Sequence, residues 1–380
     1  MRSFHRTCQN LDLIVLHPNL FIGGAETQII NLVTSISEKR RVLLALYDAD
    51  GPGLEQLSGV KNLEILDLKR RERGYMGVST RMLKVFRENR DATLYTFLVG
   101  QNILGFLLAR MARLRRIVWG NRISSFEKGE FGWKGNVAFW IEQQLSRWVP
   151  LIISNSWQGE FVHQKRKMRP QASLVIPNGI DVNKYSPKSL YRERFRSEIG
   201  VGSTDIVIGL ICRIVEWKGV EDFVRAAALV NKNHKNVRFI CVGGGETSLI
   251  KQYQALAVEL GLSDWLIWIG PRDDIEEVLN GIDVLASAST SGEGFPNIIG
   301  EAMATGRPVV STRVGDNARI IGDAGIFISP GCPEALADAL QTLIASEELR
   351  SRMGRLGLRR ITNCYSVSAM VRATDEALFQ

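Results

Sequence analysis

The sequence predicts an α/β protein built from two Rossmann-like, doubly wound parallel-sheet domains that face each other across a cleft. Three observations predict this. The length of 380 residues exceeds one ordinary core and suits two α/β domains. Short β-branched apolar runs alternate with helix-period segments. That alternation restarts after a loop-rich stretch in mid-chain.

The first series of strands reads Leu13–Leu16, Val42–Tyr47, Leu63–Leu68, Thr93–Phe97, Arg116–Trp119 and Leu151–Ser154. The second reads Ile206–Ile211, Val237–Val242, Trp265–Ile269, Asp283–Ala286, Pro308–Thr312 and Gly325–Ile328. Pro177-Asn178-Gly179-Ile180-Asp181 breaks regular structure between them. The expected domains are therefore 1–180 and 181–364, with a final helix over about 365–380 packing back on the first. In open parallel sheets, ligands gather beyond the carboxyl ends of strands, so chemistry is sought in the loops that follow them.

A composition of 45% hydrophobic and 23% charged residues describes a folded globular chain. Leu11 to Leu16 is short and interrupted by Asp12, so it reads as a strand and not as a secretory leader. The greasiest helical stretch, Ile103 to Met111, is stopped by Arg110, Arg113, Arg115 and Arg116, so no membrane span is expected. The five cysteines, Cys8, Cys212, Cys241, Cys332 and Cys364, are scattered without metal-ligand spacing. With Cys212 and Cys241 in predicted strands, they read as reduced, mostly buried thiols of a cytoplasmic protein.

The formal net charge of +8 is polarised. Residues 1–180 carry 26 Lys and Arg against 15 Asp and Glu, a balance of +11, whereas residues 181–380 carry 22 against 25, a balance of −3. Such a first half suits an anionic partner, nucleic acid or the phosphates of a cytoplasmic leaflet, and equally suits solvated helix faces. Nucleic acid is disfavoured because the clusters Lys69–Arg73 and Lys165–Arg169 lack interleaved aromatics. Peripheral docking on the inner face of an anionic membrane is the remaining expectation.

Four loops carry candidate chemistry. His17-Pro18-Asn19-Leu20-Phe21-Ile22-Gly23-Gly24-Ala25-Glu26 follows the first strand and opens into a helix. Paired glycines at a helix start leave backbone N–H groups free to approach a diphosphate, although Gly23-Gly24 alone also describes a tight turn. It matches neither a P-loop nor a dinucleotide fingerprint. Arg213 and Lys218 follow the first strand of the second domain, spaced so that a planar fork and a point charge reach one anion. Cations fixed there stabilise charge developing on a departing diphosphate, and also describe an exposed loop. Gly243-Gly244-Gly245 reads as a conformational loop that permits close approach of backbone and ligand.

The fourth stretch, Ser291 to Val310, carries the most information. Pro296 is placed to start a helix and Gly306 to end it, with strands on either side. Glu293 falls in the loop and Glu301 about a turn and a half beyond Pro296. Two carboxylates at different depths can each accept hydrogen bonds from hydroxyls of a sugar and a ribose, while the helix amino end faces phosphate. Two ordinary surface glutamates are the bland alternative.

This stretch resembles the signature of the retaining glycosyltransferases of family 4, which have the GT-B fold: a glutamate, seven residues, then a second glutamate followed by Ala-Met-Ala, Gly and Pro-Val-Val. The likeness takes in Gly23 to Glu26, Asn155-Ser156, Ile176 to Asp181, Arg213 with Lys218, Gly270 to Asp274, Glu293 to Val310 and Val314-Gly315-Asp316. The resemblance implies that Arg213 and Lys218 hold a diphosphate, Glu301 the ribose hydroxyls and Glu293 the donor sugar. It also implies that the backbone of Gly294, Phe295, Pro296, Asn297 and Ile298 meets phosphate and sugar, and that Gly23 and Gly24 close over the diphosphate. Arg272 belongs to the matching Gly270 to Asp274 loop and is a further substrate-binding candidate. The family is usually metal-independent and needs no cofactor, and no Asp-x-Asp pair is placed as a metal clamp. Where many members carry histidine, this chain has Trp119-Gly120-Asn121-Arg122, which makes Arg122 a candidate for sugar or phosphate contact.

The expected reaction is metal-independent hexosyl transfer from a nucleotide-diphosphate sugar, a UDP-sugar first, to a glycan or lipid-linked glycan in cell-surface polysaccharide or lipopolysaccharide synthesis. Retention lets the leaving phosphate oxygen take the acceptor proton, so no side-chain base is required. Of the histidines only His17 falls in a site loop, and it also reads as a capping or packing residue. A sugar-nucleotide epimerase of related fold and a non-catalytic nucleotide-sugar-binding subunit are the rivals. The paired glutamates with their basic partners favour the transferase.

Overall fold

The computed structural model describes residues 10–21, 23–124 and 132–380. His5, Cys8 and Ile22 lie outside these. The chain divides into two units, Met1–Gly179 with Val367–Gln380, and Ile180–Ser366.

In the first unit the strands are β1 (Leu13–His17), β2 (Val42–Leu46), β3 (Leu63–Asp67), β4 (Thr93–Phe97), β5 (Arg116–Asn121), β6 (Leu151–Ser154) and β7 (Ala172–Val175). They form one parallel sheet in the order β3-β2-β1-β4-β5-β6-β7. Helices cover both faces, so β1, β2 and β4 are buried along their whole length, which is why they read as continuous apolar runs. One face packs on Ile29, Val33, Met370 and Leu378, the other on Met82, Phe86, Phe106 and Ala109.

Strand β7 was not expected from the sequence. It is an edge strand with Ala172, Ser173 and Leu174 exposed, so burial imposes no apolar pattern on it. The helix Val367–Phe379 completes this unit. Arg40 Nε donates to Asp375 Oδ1 at 2.6 Å, the Arg40 guanidinium lies 3.6 Å above the Phe379 ring, and Thr93 Oγ1 donates to the Leu378 carbonyl at 3.3 Å.

The second unit holds β8 (Ile206–Ile211), β9 (Val237–Val242), β10 (Leu266–Ile269), β11 (Val284–Ser287), β12 (Val309–Thr312) and β13 (Gly325–Ile328). Their parallel order is β10-β9-β8-β11-β12-β13. From β8 the chain winds outward to β10, then crosses back to β11 and winds the other way. The two loops that leave β8 and β11 therefore diverge at a switch point, where open α/β sheets bind ligands.

The cysteine expectation needs correction. Cys241 is buried in β9, but Cys212 lies one residue past β8, Cys332 is half-buried and Cys364 is exposed. The thiols are free but not mostly buried.

Candidate active site

At the β8/β11 switch point, the loop after β8 makes a short 3-10 turn, Glu216–Lys218, and Gly219 follows with φ +69°. A Cβ on Gly219 would overlap the Ala288 carbonyl oxygen, so only glycine lets this loop lie against the loop after β11. Thr290 N donates to the Trp217 carbonyl at 2.8 Å and ties the two loops together.

This contact brings Lys218 to Glu293. Lys218 Nζ is 2.5 Å from Glu293 Oε1, and Ser289 Oγ donates to the same oxygen at 2.6 Å. Ser289 is itself held, because Thr312 Oγ1 donates to its carbonyl at 2.7 Å. The Lys218 ammonium also lies 4.5 Å from the Trp217 ring centroid. Glu293 is 6% exposed, so its charge depends on these partners, since a buried carboxylate without a counterion is costly. Beside the pair is a small pocket lined among others by Cys212, Ser289 and Ile298. Burial pushes the Cys212 thiol up to about 12, which keeps it neutral and removes it as a nucleophile.

The helix Asn297–Ala304 begins at Pro296 and is followed by Thr305 and by Gly306 at φ +74°. Its first N–H groups lack intrahelical acceptors, and Ile298 in that first turn lines the pocket. The Gly294 carbonyl accepts from Asp316 N at 3.0 Å, which fixes the entry to the helix. The Phe295 ring packs 5.6 Å from Tyr365 and is buried, so only its backbone is available to a ligand. Further along, Glu301 is paired with Tyr185. Burial pushes its carboxyl up to about 7, helped by Glu276 and opposed by Lys184 and by the Tyr185 hydrogen bond.

The structure therefore gathers Lys218, Glu293 and Ile298 around one pocket, with Glu301 on the same helix. Arg213 is exposed, with no ion-pair partner among the described residues. Arg272 has carboxylates of its own: Nη2 lies 2.6 Å from Asp274 Oδ2, and Nη1 pairs with Glu198. Gly243 and Gly245 do permit a close approach, but what approaches is this chain's own backbone. Ile214 N donates to the Gly244 carbonyl at 2.8 Å, and a Cβ on Gly243 would overlap the Cys212 carbonyl oxygen. The glycines thus shape the loop that carries Arg213.

In the first unit, Gly23 is the extended residue before the helix Gly24–Ile36, and a Cβ there would overlap the Glu26 carboxylate. His17 Nε2 lies 3.3 Å from Glu26 Oε1, while its buried Nδ1 has no partner among the described residues. The Glu26 carboxyl is raised by burial, but His17 and the Arg122 charge outweigh this and hold it below its usual value. Arg122 Nη1 donates to Asn178 Oδ1 at 2.7 Å and its guanidinium lies 5.1 Å from the Phe97 ring, while its buried Nε has no partner among the described residues.

Sequence reasoning missed two residues, Ser289 and Tyr185, and passed over one Asp-x-Asp pair. Ser289 lies four residues before Glu293, outside the stretch that carries the signature. Tyr185 lies in a loop with no motif. The Asp48-Ala49-Asp50 pair was passed over as a clamp, and both carboxylates are engaged by arginines: Arg70 Nε is 3.1 Å from Asp48, and Arg71 Nη1 is 2.9 Å from Asp50.

Residues 205–346 match the family model described as glycosyl transferases group 1. The D-inositol 3-phosphate glycosyltransferase of Corynebacterium efficiens is 31% identical over 233 residues, covering 58% of this chain and 54% of that protein. The enzyme of the same name from Corynebacterium glutamicum is 33% identical over 224 residues, 56% of this chain and 53% of that protein. The match thus spans about half the length of these relatives. Among solved structures, Anabaena Alr3699/HepE in complex with UDP superposes with a TM-score of 0.84 at 22% identity, over 97% of this chain and 99% of that one. WaaG, a glycosyltransferase of lipopolysaccharide biosynthesis, superposes with a TM-score of 0.73 at 16% identity, over 97% of this chain and 100% of that one. The chain has the GT-B fold seen in glycosyltransferase structures, and its residues 205–346 match the model of glycosyl transferases group 1.

Proposed function

We propose that this chain is a retaining glycosyltransferase of the family 4 kind, moving a hexosyl-type residue from a UDP-sugar to a glycan or lipid-linked glycan acceptor in cell-surface polysaccharide synthesis. The observation that carries the proposal is the buried Lys218–Glu293 pair at the β8/β11 switch point, beside the amino end of the helix that bears Glu301. An arriving diphosphate competes for Lys218 and takes Arg213 and the amino end of that helix as further donors. Glu293 is then released to accept hydrogen bonds from the donor sugar, and Glu301 from the ribose.

As the bond between the anomeric carbon and the phosphate oxygen breaks, negative charge grows on the diphosphate, where Lys218 and Arg213 stabilise it more than in the ground state. The acceptor hydroxyl bonds to the same face and its proton passes to the leaving phosphate oxygen. These cations do the work a metal ion does elsewhere, so transfer is metal-independent. The second unit binds the donor and the first unit the acceptor, in the cytoplasm and peripherally at the inner membrane face. The glycosyltransferase names of the relatives, and the UDP and UDP-glucose bound to Alr3699/HepE, support this choice of donor class.

The test is thermal denaturation with UDP-, GDP- and ADP-sugars in turn, since a ligand of the native state stabilises it by about 2.7 kcal/mol at a hundred times its Kd. A selective upward shift with a UDP-sugar is expected. No shift with any nucleotide sugar sinks the proposal.

A further inference from the structure

We propose that the exposed face of the helix Gly132–Ser146 is the surface by which this protein docks on an anionic phospholipid bilayer. The inference rests on the peripheral-membrane reading above and names where that contact is made. Trp133 is 72% exposed and Trp140 60% exposed, with the exposed Val137 between them. Spacings of four and three residues place the three on one stripe of the helix. Trp148, 52% exposed, stands just beyond its end. An exposed tryptophan is normally rare, because its ring buries more apolar surface than any other side chain.

Charge selects the occupant. The helix contains one carboxylate, Glu142, and it is turned inward: Arg166 Nη2 lies 2.7 Å from Glu142 Oε2, and Asn102 Nδ2 donates to Glu142 Oε1 at 2.8 Å. The exposed face is left with cations set among the rings, Lys134 Nζ at 5.7 Å from the Trp133 centroid and the Arg147 guanidinium at 5.1 Å from that of Trp148. The neighbouring helix Val99–Ala112, which packs against this one, has no Asp or Glu and exposes Leu107, Arg110 and Met111. Amphipathic rings among cations, with no outward acid among the described residues of the two helices, match the headgroup boundary of an anionic bilayer, where rings sit at the interface and cations meet phosphate. A second copy of the chain fits poorly, since a two-fold contact would set these cations against themselves. Of the basic clusters legible in the sequence, Lys69, Arg70 and Arg71 are paired with Glu72, Asp48 and Asp50, and Arg166 is buried, whereas Lys165, Lys167 and Arg169 are exposed.

The experiment is co-sedimentation with vesicles of phosphatidylcholine and phosphatidylglycerol, without donor or acceptor, so its result is independent of whether transfer occurs. The parent protein is expected to bind, and brominated lipid is expected to quench its tryptophan fluorescence. Trp133→Ser/Trp140→Ser/Trp148→Ser is expected to weaken binding more than about tenfold while its thermal shift with UDP-sugar matches the parent. Lys134→Gln and Arg147→Gln are each expected to weaken it about fivefold at low salt and less at high salt. Failure of the parent to bind, absence of bromolipid quenching, or parent-like binding by the triple variant would each overturn the proposal. So would a parent dimer that the triple variant dissolves, which would assign the face to a second copy. The quenching measurement needs no variant and decides the matter if the triple variant does not fold.

Discussion

Lys218 Nζ and Glu293 Oε1 lie 2.5 Å apart at the switch point of the second sheet, and the hydroxyl of Ser289 shares the same oxygen. Each charged group is thus satisfied before any ligand arrives. Under the proposed function a diphosphate replaces Glu293 as the partner of Lys218, and donor binding and the release of Glu293 toward the sugar become one event.

Lys218→Ala is expected to reduce transfer by about 10² to 10³, the range seen when a fixed group facing developing charge is removed. It also strands a buried carboxylate, at a cost of about 3 to 5 kcal/mol. Adding Glu293→Gln removes the stranded charge. The double variant should regain much of the stability in a denaturation curve yet none of the activity, whereas parallel recovery of both would show that the lysine serves folding alone.

Glu301 makes the unliganded protein sensitive to pH. Its carboxyl stands at about 7 in the fold against an ordinary value of 4.5, because burial opposes the charge. The sign follows from linkage: below 4.5 both states hold the proton and nothing is lost, and stability falls as pH rises through 7, by at most about 3 kcal/mol. Glu301→Gln should flatten this slope in melts between pH 5 and 8. It should also remove the proton release that accompanies UDP binding near pH 7, which is read by calorimetry in buffers of different ionisation enthalpy.

Gly243 has φ +141°, and any Cβ would overlap the Cys212 carbonyl oxygen. Gly243→Ala should cost about 2 kcal/mol or more through strain alone and displace the Arg213 loop. The expected readout is a lowered melting temperature together with a raised KM for the donor. An unchanged KM would mean that the loop does not set the site.

Thr96, Asn102, Glu142 and Arg166 form a buried chain, with Thr96 Oγ1 donating to Asn102 Oδ1 at 2.7 Å and Arg166 closing the other end. Removing one end leaves the opposite charge unpaired, so Arg166→Ala should lose about 3 to 5 kcal/mol in chemical denaturation. A loss below about 1 kcal/mol would show that water reaches Glu142.

The strands of both sheets were legible because helices cover both faces and force apolar residues into each central strand. Where that pressure lapses, as at the exposed β7, the signal lapsed too. Lys218, Glu293 and the bounds of the Asn297–Ala304 helix were legible because proline and glycine punctuate the chain around them. Tyr185 was not, since its contact with Glu301 depends on tertiary packing that no local pattern encodes. The engagement of Arg272 by Glu198 is similarly long-range, whereas its pairing with Asp274 two residues on shows how an anion-binding loop and a self-neutralised one can share a motif.

The helix Val367–Phe379 supplies Met370 and Leu378 to the core of the first unit, although it follows the whole second unit in the chain. On the ribosome, the second unit therefore acquires all of its residues while the first still lacks a wall. The half that is made first is the half that finishes last. Until that helix emerges, Ile29, Val33 and their neighbours present an open apolar face, and this nascent intermediate is where chaperone dependence and aggregation should concentrate.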